Sequence, residues 1–313
     1  MIRNISVVGA GTMGHGIAHV FSRHGYRVSL YEPFEAVRES APQKIRDELQ
    51  FMVDEDYITK ADMQTGVKNI TMFSDLAEAA KDADYVIEAC PEDMEMKREL
   101  FARLDKICPP HTVFATNTSS LKLEDITAQL PPERQKLCMV CHWYNPAYLL
   151  PIAELSKFGN MDEDVFNDVY NLYMDCEKQP IRILKDITGM VANRLLHAQA
   201  REAFHLMEIG AASPGDIDRA LKYGPCFRNA TTGMLEVADM GGLDVWLAGE
   251  DNILPALDNS PKACDAMRAL VAAGNLGIKT GRGFFDYSEE KRGKAQTEFY
   301  KRLIIQLKAS KNY

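Results

Sequence analysis

The sequence predicts an α/β fold with a doubly wound parallel sheet, followed by a smaller all-helical domain. An apolar run, Ile5–Val8, leads directly into the glycine-rich segment Gly9–Gly14. Short apolar runs then alternate with helical patterns, and from about residue 186 only helical spacing remains. Strands that alternate with helices are typical of a parallel sheet covered on both faces. We therefore predict a first domain at residues 1–185 and a helical domain at residues 186–313.

The glycine-rich segment has the spacing of a dinucleotide-binding turn. Gly9 permits a tight turn after the strand, Gly11 lets the backbone approach a pyrophosphate, and Gly14 allows the next helix to pack closely on the sheet. The N-terminus of that helix favours an anion, because its N–H groups and its dipole point at the ligand. We therefore predict that this turn, including Thr12 and Met13, binds a dinucleotide.

The acidic residue after the second predicted strand selects the dinucleotide. That strand, Tyr26–Tyr31, ends at Glu32, eighteen residues after Gly14. A carboxylate there accepts hydrogen bonds from the adenosine ribose hydroxyls and repels a 2′-phosphate. A strand, a glycine turn, a helix and a placed acid together predict a Rossmann-like domain that binds NAD rather than NADP.

The other predicted elements of the first domain follow in chain order. A charged stretch over residues 36–68 has the apolar spacing of amphipathic helices, which predicts a helical hairpin inserted between strands. Further helices are predicted at residues 75–81 and 97–107. The remaining predicted strands are Asn69–Phe73, Tyr85–Ala89, Thr112–Thr116, Leu137–Cys141 and Ile181–Leu184. The last residues, 288–313, are predicted to form a packed terminal or interface helix with Phe299, Leu303 and Leu307 on one stripe.

Composition excludes several classes of partner. The chain has 313 residues and a formal net charge of −9, whereas a nucleic-acid partner requires a basic face. No apolar run has the length of a membrane span, and the first strand begins within five residues of Met1, which leaves no room for a targeting peptide. We therefore expect a cytoplasmic protein that binds neither nucleic acid nor membrane, and we predict no metal site.

The seven cysteines form an odd, scattered set, which is typical of reduced intracellular thiols. Cys138 and Cys141 have the spacing of a redox pair. They lie in an apolar run that is expected to be a buried strand, not at a helix N-terminus that lowers thiol pKa values. The prediction is therefore two buried structural thiols.

Four polar residues lie where strand ends or the domain junction would bring them to a bound nicotinamide: Ser119, His142, Glu154 and Asn193. A histidine is suited to take a proton from an alcohol, because its pKa lies near neutrality. A carboxylate on the other ring nitrogen would fix the tautomer and stabilise the imidazolium. Each residue also has an ordinary explanation, since Ser119 could cap a helix and Asn193 could be a polar helix residue.

Several motifs together resemble the L-3-hydroxyacyl-CoA dehydrogenase family, whose substrates belong to fatty acid metabolism. They are Gly9–Gly14, Asn117–Ser120, His142–Pro146 with Glu154, Asn193–Leu196 and the closing Lys279–Tyr287. The resemblance covers residues 1–287. It implies an NAD-binding α/β domain followed by a helical domain that forms the interface of a homodimer.

The resemblance also implies roles for individual residues. His142 is expected to be the general base and Glu154 its orienting partner. Ser119 and Asn193 are expected to hydrogen-bond the substrate oxygen. Three further positions match residues near the cofactor in the family: Glu92, Lys97 and Asn117.

Two features resemble relatives that act on free acids, namely L-gulonate 3-dehydrogenase, related to lambda-crystallin, and carnitine dehydrogenase. In the acyl-CoA enzymes the inserted hairpin helps to hold the CoA, but residues 36–56 carry three basic and six acidic side chains. The segment Tyr148–Glu154, and Arg228 followed by Gly233–Glu236, look like the free-acid relatives. Arg228 could pair with a substrate carboxylate, although a surface role on a helix explains it equally well.

The closing motif Lys279–Tyr287 favours the acyl-CoA branch, which remains the first prediction. The second is a dehydrogenase of a free small 3-hydroxy acid. A third alternative, from lambda-crystallin, is a structural protein that binds NADH, and the intact set of four polar residues argues against it.

Overall fold

The computed structural model describes residues 2–157, 160–287 and 289–313 and contains two compact units, Met1–Val191 and Ala192–Tyr313. The first unit holds an eight-stranded sheet flanked by helices, and the second is helical. The predicted fold class, a Rossmann-like domain followed by a smaller all-α domain, is therefore confirmed.

The sheet has the strand order β3-β2-β1-β4-β5-β6-β7-β8. Every neighbouring pair is parallel except β6 and β7, which are antiparallel. The strand order reverses between β1 and β4, and ligands of such sheets bind at this point, beyond the carboxyl ends of the strands. The strands are β1 Asn4–Val8, β2 Arg27–Tyr31, β3 Ile70–Phe73, β4 Tyr85–Glu88, β5 Val113–Thr116, β6 Cys138–Trp143, β7 Ile152–Ser156 and β8 Gln179–Ile183.

Eight helices accompany the strands in the described part of the first unit. The predicted hairpin at residues 36–68 is confirmed as α2 and α3, and α2 buries Ile45, Leu49 and Met52. Thr59 and Asp62 form a capping box that starts α3, which explains why the second arm begins where it does. The helices are α1 Gly14–Arg23, α2 Glu35–Asp54, α3 Lys60–Lys68, α4 Leu76–Ala80, α5 Met94–Ile107, α6 Leu123–Thr127, α7 Pro132–Gln135 and α8 Glu163–Asp175.

Strand β7 and helices α6, α7 and α8 are not predicted from the sequence, and β6 ends two residues later than predicted. Strand β7 is missed because buried Glu154 and Ser156 interrupt the apolar pattern of a strand. Pairing with β7 extends β6 as far as Trp143, so His142 lies inside the strand rather than after it. The sheet is consequently mixed at this edge, not wholly parallel.

The core of the first unit lies on both faces of the sheet. On one face, Val86 and Phe114 belong to a large apolar cluster with residues of α4, α5 and α6. Tyr85 points to the opposite face, because successive side chains of a strand alternate. Its hydroxyl lies 2.8 Å from that of Tyr173, which also accepts a hydrogen bond of 2.9 Å from Trp143 Nε1. These hydrogen bonds within the core connect β4, β6 and α8.

The second unit is helical, and glycine turns join three of its short helices. Gly233 and Gly242 have positive φ angles of 79° and 89°, and they separate three successive helices. Its helices are α9 Ala192–Glu208, α10 Pro214–Tyr223, α11 Pro225–Thr232, α12 Met234–Gly241, α13 Leu243–Ile253, α14 Asp265–Ala272 and α15 Glu289–Ser310, with a 3₁₀ turn at Leu254–Ala256.

The predicted terminal helix is present as α15, but its buried side differs in part from the predicted stripe. Ile304 and Leu307 are buried, whereas Phe299 is half exposed. Among the described helices, none is long and apolar enough to cross a membrane.

Candidate active site

The glycine turn between β1 and α1 has no room for side chains at two of its three glycines. Gly9 has a φ of 102°, and a Cβ there would lie 2.9 Å from the carbonyl oxygen of Ala89. A Cβ on Gly14 would lie 1.7 Å from the carbonyl oxygen of Gly9, so this glycine is required by the turn itself more than by helix packing on the sheet. The space around Gly11 is open, and no side chain caps α1 at Met13. The uncapped N–H groups and the open backbone fit a pyrophosphate.

Glu32 closes the turn at the end of β2. Its buried carboxylate accepts a hydrogen bond of 3.0 Å from the backbone nitrogen of Ala10 at one oxygen and one of 3.0 Å from Phe34 at the other. Each carboxylate oxygen has a second lone pair, so two ribose hydroxyls can still be accepted. Arg38, the next basic residue, donates to the main-chain oxygens of Glu32 and Pro33. The main chain therefore holds the carboxylate in place, and its predicted contact with the adenosine ribose stays a prediction.

A histidine–glutamate cluster behind the turn is not predicted from the sequence. His15 Nε2 lies 2.9 Å from Glu48 Oε1, and its Nδ1 contacts the carbonyl oxygen of Gly11. His19, one helical turn further on, lies 3.2 Å from the other carboxylate oxygen. Glu48 is one of the six acidic residues at positions 36–56, and it faces these two rings. The cluster fastens α2 to the first turns of α1.

Burial and charge act in opposite directions on the three groups. Burial alone would lower the pKa of His15, but the hydrogen bond and the charge of Glu48 outweigh it and raise that pKa. For fully buried His19, burial dominates and lowers the pKa. Burial would raise the pKa of Glu48, but hydrogen bonds from the two imidazoles lower it to about 2. The only signal in the sequence is the i, i+4 spacing of the histidines on an apolar helix.

Glu92 and Lys97 lie beyond the end of β4 in one network of charges. Lys97 Nζ is buried and contacts Glu92 Oε2 at 3.5 Å. Glu92 Oε1 accepts hydrogen bonds from the main-chain nitrogens of Ser119 and Ser120, both at 3.3 Å. Burial would raise the pKa of Glu92, but hydrogen bonds from Thr118 and Ser120 outweigh it, so the pKa is lowered. The network shapes the turn that carries Ser119.

Asn117, at the end of β5, connects three strands. Its backbone nitrogen donates to the carbonyl oxygen of Glu88 at 2.9 Å, and its Oδ1 accepts from the backbone nitrogen of Trp143 at 2.8 Å. The side chain thereby fixes the end of β6 next to His142. This contact is structural, and the predicted contact of Asn117 with the cofactor stays a prediction.

His142 and Glu154 lie opposite each other on the antiparallel strands β6 and β7. Nδ1 of His142 is 2.9 Å from Oε2 of Glu154, whose side chain is fully buried. An ionised carboxylate only accepts hydrogen bonds, so a contact with ionised Glu154 requires the proton on Nδ1 and leaves Nε2 free to accept one. The second carboxylate oxygen accepts from the backbone nitrogen of Val191 at 3.0 Å. Tyr144 adds a contact of 3.5 Å to Oε2 and packs its ring against His142.

A buried lysine holds the loop between these two strands. Lys178 Nζ donates to the carbonyl oxygens of Ala147 and, at 2.7 Å, of Leu150, and it lies 4.3 Å from the ring centre of Trp143. Burial lowers the pKa of Lys178 well below its usual value. The loop contains a cis peptide bond between Asn145 and Pro146. Nothing in the sequence around Lys178 signals this role, because its partners are main-chain oxygens.

Comparisons with known proteins show the family of this chain. A family model described as "3-hydroxyacyl-CoA dehydrogenase, NAD binding domain" matches residues 4–187, and one described as "3-hydroxyacyl-CoA dehydrogenase, C-terminal domain" matches residues 189–287. The chain belongs to the 3-hydroxyacyl-CoA dehydrogenase family. It is accordingly an oxidoreductase that acts on a CH–OH group with NAD.

Individual relatives of this dehydrogenase differ in the substrate that they are named for. A probable 3-hydroxybutyryl-CoA dehydrogenase of Bacillus subtilis is 34% identical over 92% of this chain and 99% of its own. The crystal structure of (S)-3-hydroxybutyryl-CoA dehydrogenase from Ralstonia eutropha has a TM-score of 0.74 at 31% identity, over 92% of this chain and 100% of that one. The crystal structure of 5-formyl-3-hydroxy-2-methylpyridine 4-carboxylic acid 5-dehydrogenase, an NAD⁺-dependent dismutase, has a TM-score of 0.88 at 28% identity, over 97% of both chains.

The other predicted site residues of the dehydrogenase lie in two units. Ser119 belongs to the first unit, in the turn after β5, and is not the cap of a helix, since α6 begins at Leu123. Asn193 is the second residue of α9, and Arg228 is exposed on α11, both in the second unit. The structure joins His142 to Glu154 directly, and the substrate contacts of the other three residues stay predictions.

The two cysteines of β6 are not a redox pair. Both are buried and free, and burial raises the pKa of each thiol to about 12. Cys138 Sγ contacts the carbonyl oxygen of Arg134, whereas Cys141 lies beside the hydroxyls of Tyr85 and Tyr173. The predicted structural role of Cys138 and Cys141 is therefore confirmed.

Proposed function

We propose that the protein oxidises a 3-hydroxyacyl-CoA to the 3-oxoacyl-CoA, reversibly, with His142 as general base. The observation that carries this proposal is the buried His142–Glu154 pair at the carboxyl end of the sheet, in a chain whose family is that of the 3-hydroxyacyl-CoA dehydrogenases. NAD, when bound, supplies the acceptor for the hydride that leaves carbon 3.

In this proposal His142 transfers one proton, and three other residues position the ring and the substrate. Nε2 of His142 takes the proton of the substrate hydroxyl, and the ring becomes an imidazolium. Glu154 keeps the ring in place through Nδ1 and stabilises the positive charge, which is worth most in a buried site. Ser119 and Asn193 donate hydrogen bonds to the substrate oxygen. In the reductive direction, His142 returns the proton to that oxygen.

The cofactor would occupy the glycine turn and the polar groups beside it. The turn Gly9–Gly14, including Thr12 and Met13, would hold the pyrophosphate, and Glu32 the adenosine ribose. Glu92, Lys97 and Asn117 would lie at the nicotinamide end. The uncapped N-terminus of α1 and the open space at Gly11 support this assignment.

A second candidate function is the dehydrogenation of a free small acid, and one observation favours it. The pyridine-carboxylate dehydrogenase matches 97% of the chain with a TM-score of 0.88, against 0.74 for the 3-hydroxybutyryl-CoA enzyme. A match of that extent must include part of the segment beyond residue 287, where the family models end. In this case Arg228 would pair with the substrate carboxylate.

The two candidates are separated by the oxidation of NADH in the presence of acetoacetyl-CoA and, in parallel, of free 3-oxo acids and aromatic aldehyde carboxylates. Turnover confined to the thioester supports the acyl-CoA proposal. Turnover confined to free acids supports the second candidate, and the Arg228→Ala variant should then lose it. Binding of NADH without any turnover would instead favour the crystallin-like structural role.

We also infer that the protein is a homodimer assembled through its second unit. Large apolar side chains of α12 and α13 are exposed, among them Leu235 at 85%, Met240 at 73% and Leu243 at 62%. Exposed apolar surface of this extent marks a protein interface. A second copy of the chain offers the same surface, which a two-fold interface requires. The cytoplasmic location expected from the sequence stays a prediction.

A further inference from the structure

A buried carboxylate at the end of β4 has no role in the mechanism above. The side chain of Glu88 has no exposed surface, and both of its oxygens contact Lys97 Nζ, at 2.6 and 2.7 Å. One oxygen also accepts from the backbone nitrogen of Cys90, and the other from Thr116 Oγ1, each at 2.6 Å. Burying a charge is costly unless it is paired and hydrogen-bonded. Glu88 meets this condition completely, in a strand that lies between β1 and β5.

The lysine links this carboxylate to a second one. Lys97 Nζ also contacts Glu92 Oε2 at 3.5 Å, so a single cation lies between two anions. The other oxygen of Glu92 accepts the backbone N–H groups of Ser119 and Ser120, the Ser120 hydroxyl at 2.9 Å and the Thr118 hydroxyl. One carboxylate thus fixes a whole turn, and the position of that carboxylate depends on Lys97.

The same turn is tied to Glu88 at its beginning. The backbone nitrogen of Asn117 donates to the carbonyl oxygen of Glu88 at 2.9 Å. The backbone nitrogen of Thr118 donates to Thr116 Oγ1 at 3.3 Å, and that hydroxyl in turn donates to the Glu88 carboxylate. The start of the turn and its middle are therefore held from one buried residue, through Thr116 and through Lys97.

We propose that Glu88 is a positioning residue for the reaction, which holds Lys97 and Thr116 so that the turn at residues 117–121 presents Ser119 in its working geometry. The proposal rests on the proposed function, in which Ser119 donates to the substrate oxygen. A purely structural ion pair would need only to cancel the charge of Lys97. Glu88 also contacts Thr116 directly and Glu92 through Lys97. These contacts let it set the geometry of the turn as well as balance a charge.

Turnover of three variants separates the two roles. Glu88→Gln removes the charge and keeps the shape, and the double variant Glu88→Gln/Lys97→Met removes both buried charges. Glu78→Gln is the matched control, because it breaks a Glu–Lys contact of the same length, 2.6 Å to Lys81, on the surface. We expect kcat to fall about 10- to 100-fold in Glu88→Gln, the cost of a small misplacement at an active site, and to stay unchanged in the control.

The double variant is the one that can refute the proposal in this series. We expect it to regain the thermal stability that Glu88→Gln loses but not kcat, and to have a larger deuterium isotope effect with labelled NADH than the wild type. If kcat returns together with stability, Glu88 only neutralises Lys97 and the proposal is wrong. The double variant also serves if Glu88→Gln does not fold.

A readout without turnover keeps this proposal separate from the proposed function. In protein labelled with ¹⁵N-serine, the amide signals of Ser119 and Ser120 can be assigned by their loss in the corresponding alanine variants. We expect both signals to move in Glu88→Gln, in which Lys97 keeps its side chain, and to stay in place in Glu78→Gln; if Glu88→Gln does not fold, the double variant takes its place. Unmoved signals would overturn the proposal even if no tested substrate is reduced by the wild type.

Discussion

The two units of the chain differ in how far they bury their apolar side chains. In the first unit the sheet and its flanking helices bury an apolar core, and its buried site carboxylates Glu32, Glu88 and Glu154 all have partners. In the second unit, helices α11 to α14 bury no residue, and large apolar side chains such as Leu235 are exposed. The first unit therefore buries its own apolar side chains, whereas helices α11 to α14 leave a large apolar surface exposed, which the proposed homodimer would cover.

The largest expected effect belongs to the first unit. His142→Ala should lower kcat by about 10²- to 10⁴-fold, the usual contribution of a positioned acid–base group. NADH affinity, measured by fluorescence titration, should survive, because the glycine turn and Glu32 are untouched. The matched control is His111→Ala, which removes an exposed histidine paired with Asp84. Unchanged turnover in His142→Ala would remove this residue from the mechanism.

The second largest effect is expected for a substitution on the exposed helices of the second unit, which tests the proposed dimer interface. Leu235→Asp should weaken the dimer by about 30-fold or more, since a central interface residue is typically worth about 2 kcal/mol. Sedimentation velocity over a concentration series measures the change. Met174→Asp, at a half-exposed position of α8 in the first unit, is the control and should leave the dimer intact. A wild-type protein that is monomeric at all concentrations would refute the homodimer.

A smaller effect is expected at the orienting carboxylate. Glu154→Gln keeps the size of the side chain but loses the charge that stabilises the imidazolium, and a charge-assisted hydrogen bond is worth about 1.5–3 kcal/mol. We expect kcat to fall about tenfold or somewhat more, clearly less than in His142→Ala. A fall as large as that of His142→Ala would mean that Glu154 does more than orient the ring.

The smallest effect concerns stability and pH at the His15–Glu48 contact. The lowered pKa of Glu48 stabilises the fold above about pH 4.5, and this contribution is lost as the pH falls towards 2. The raised pKa of His15 stabilises the fold below pH 6.5, and this contribution is lost as the pH rises through the raised value. His19 acts in the opposite direction, because its lowered pKa favours the unfolded state as the pH falls below 6.5.

The difference in thermal stability between the wild type and Glu48→Gln, measured as a function of pH, reports the contribution of this contact. The loss of thermal stability in the variant should be largest between about pH 4.5 and 6.5, the window that the shifted pKa values define. It should shrink towards pH 2 and again at alkaline pH. A loss that does not vary with pH would mean that Glu48 contributes packing alone.

The sequence predicts what depends on local patterns. The glycine turn, Glu32 and the helical hairpin follow from spacing, and the pairing of His142 with Glu154 follows from a family resemblance. Strand β7 escapes prediction because its buried Glu154 breaks the apolar alternation, although that same residue completes the pair. The roles of Lys178 and Glu88 are not predicted for another reason. Their partners are main-chain atoms or residues distant in the sequence.

The central claim is that Glu154 fixes His142 so that Nε2 accepts the substrate proton. Nitrogen-15 NMR of histidine-labelled protein tests it directly, and the His142 signals are identified among seven histidines by their loss in His142→Ala. We predict that at neutral pH a neutral His142 ring carries its proton on Nδ1 and a lone pair on Nε2. A ring protonated on Nε2, with a bare Nδ1 facing the carboxylate, would contradict the account.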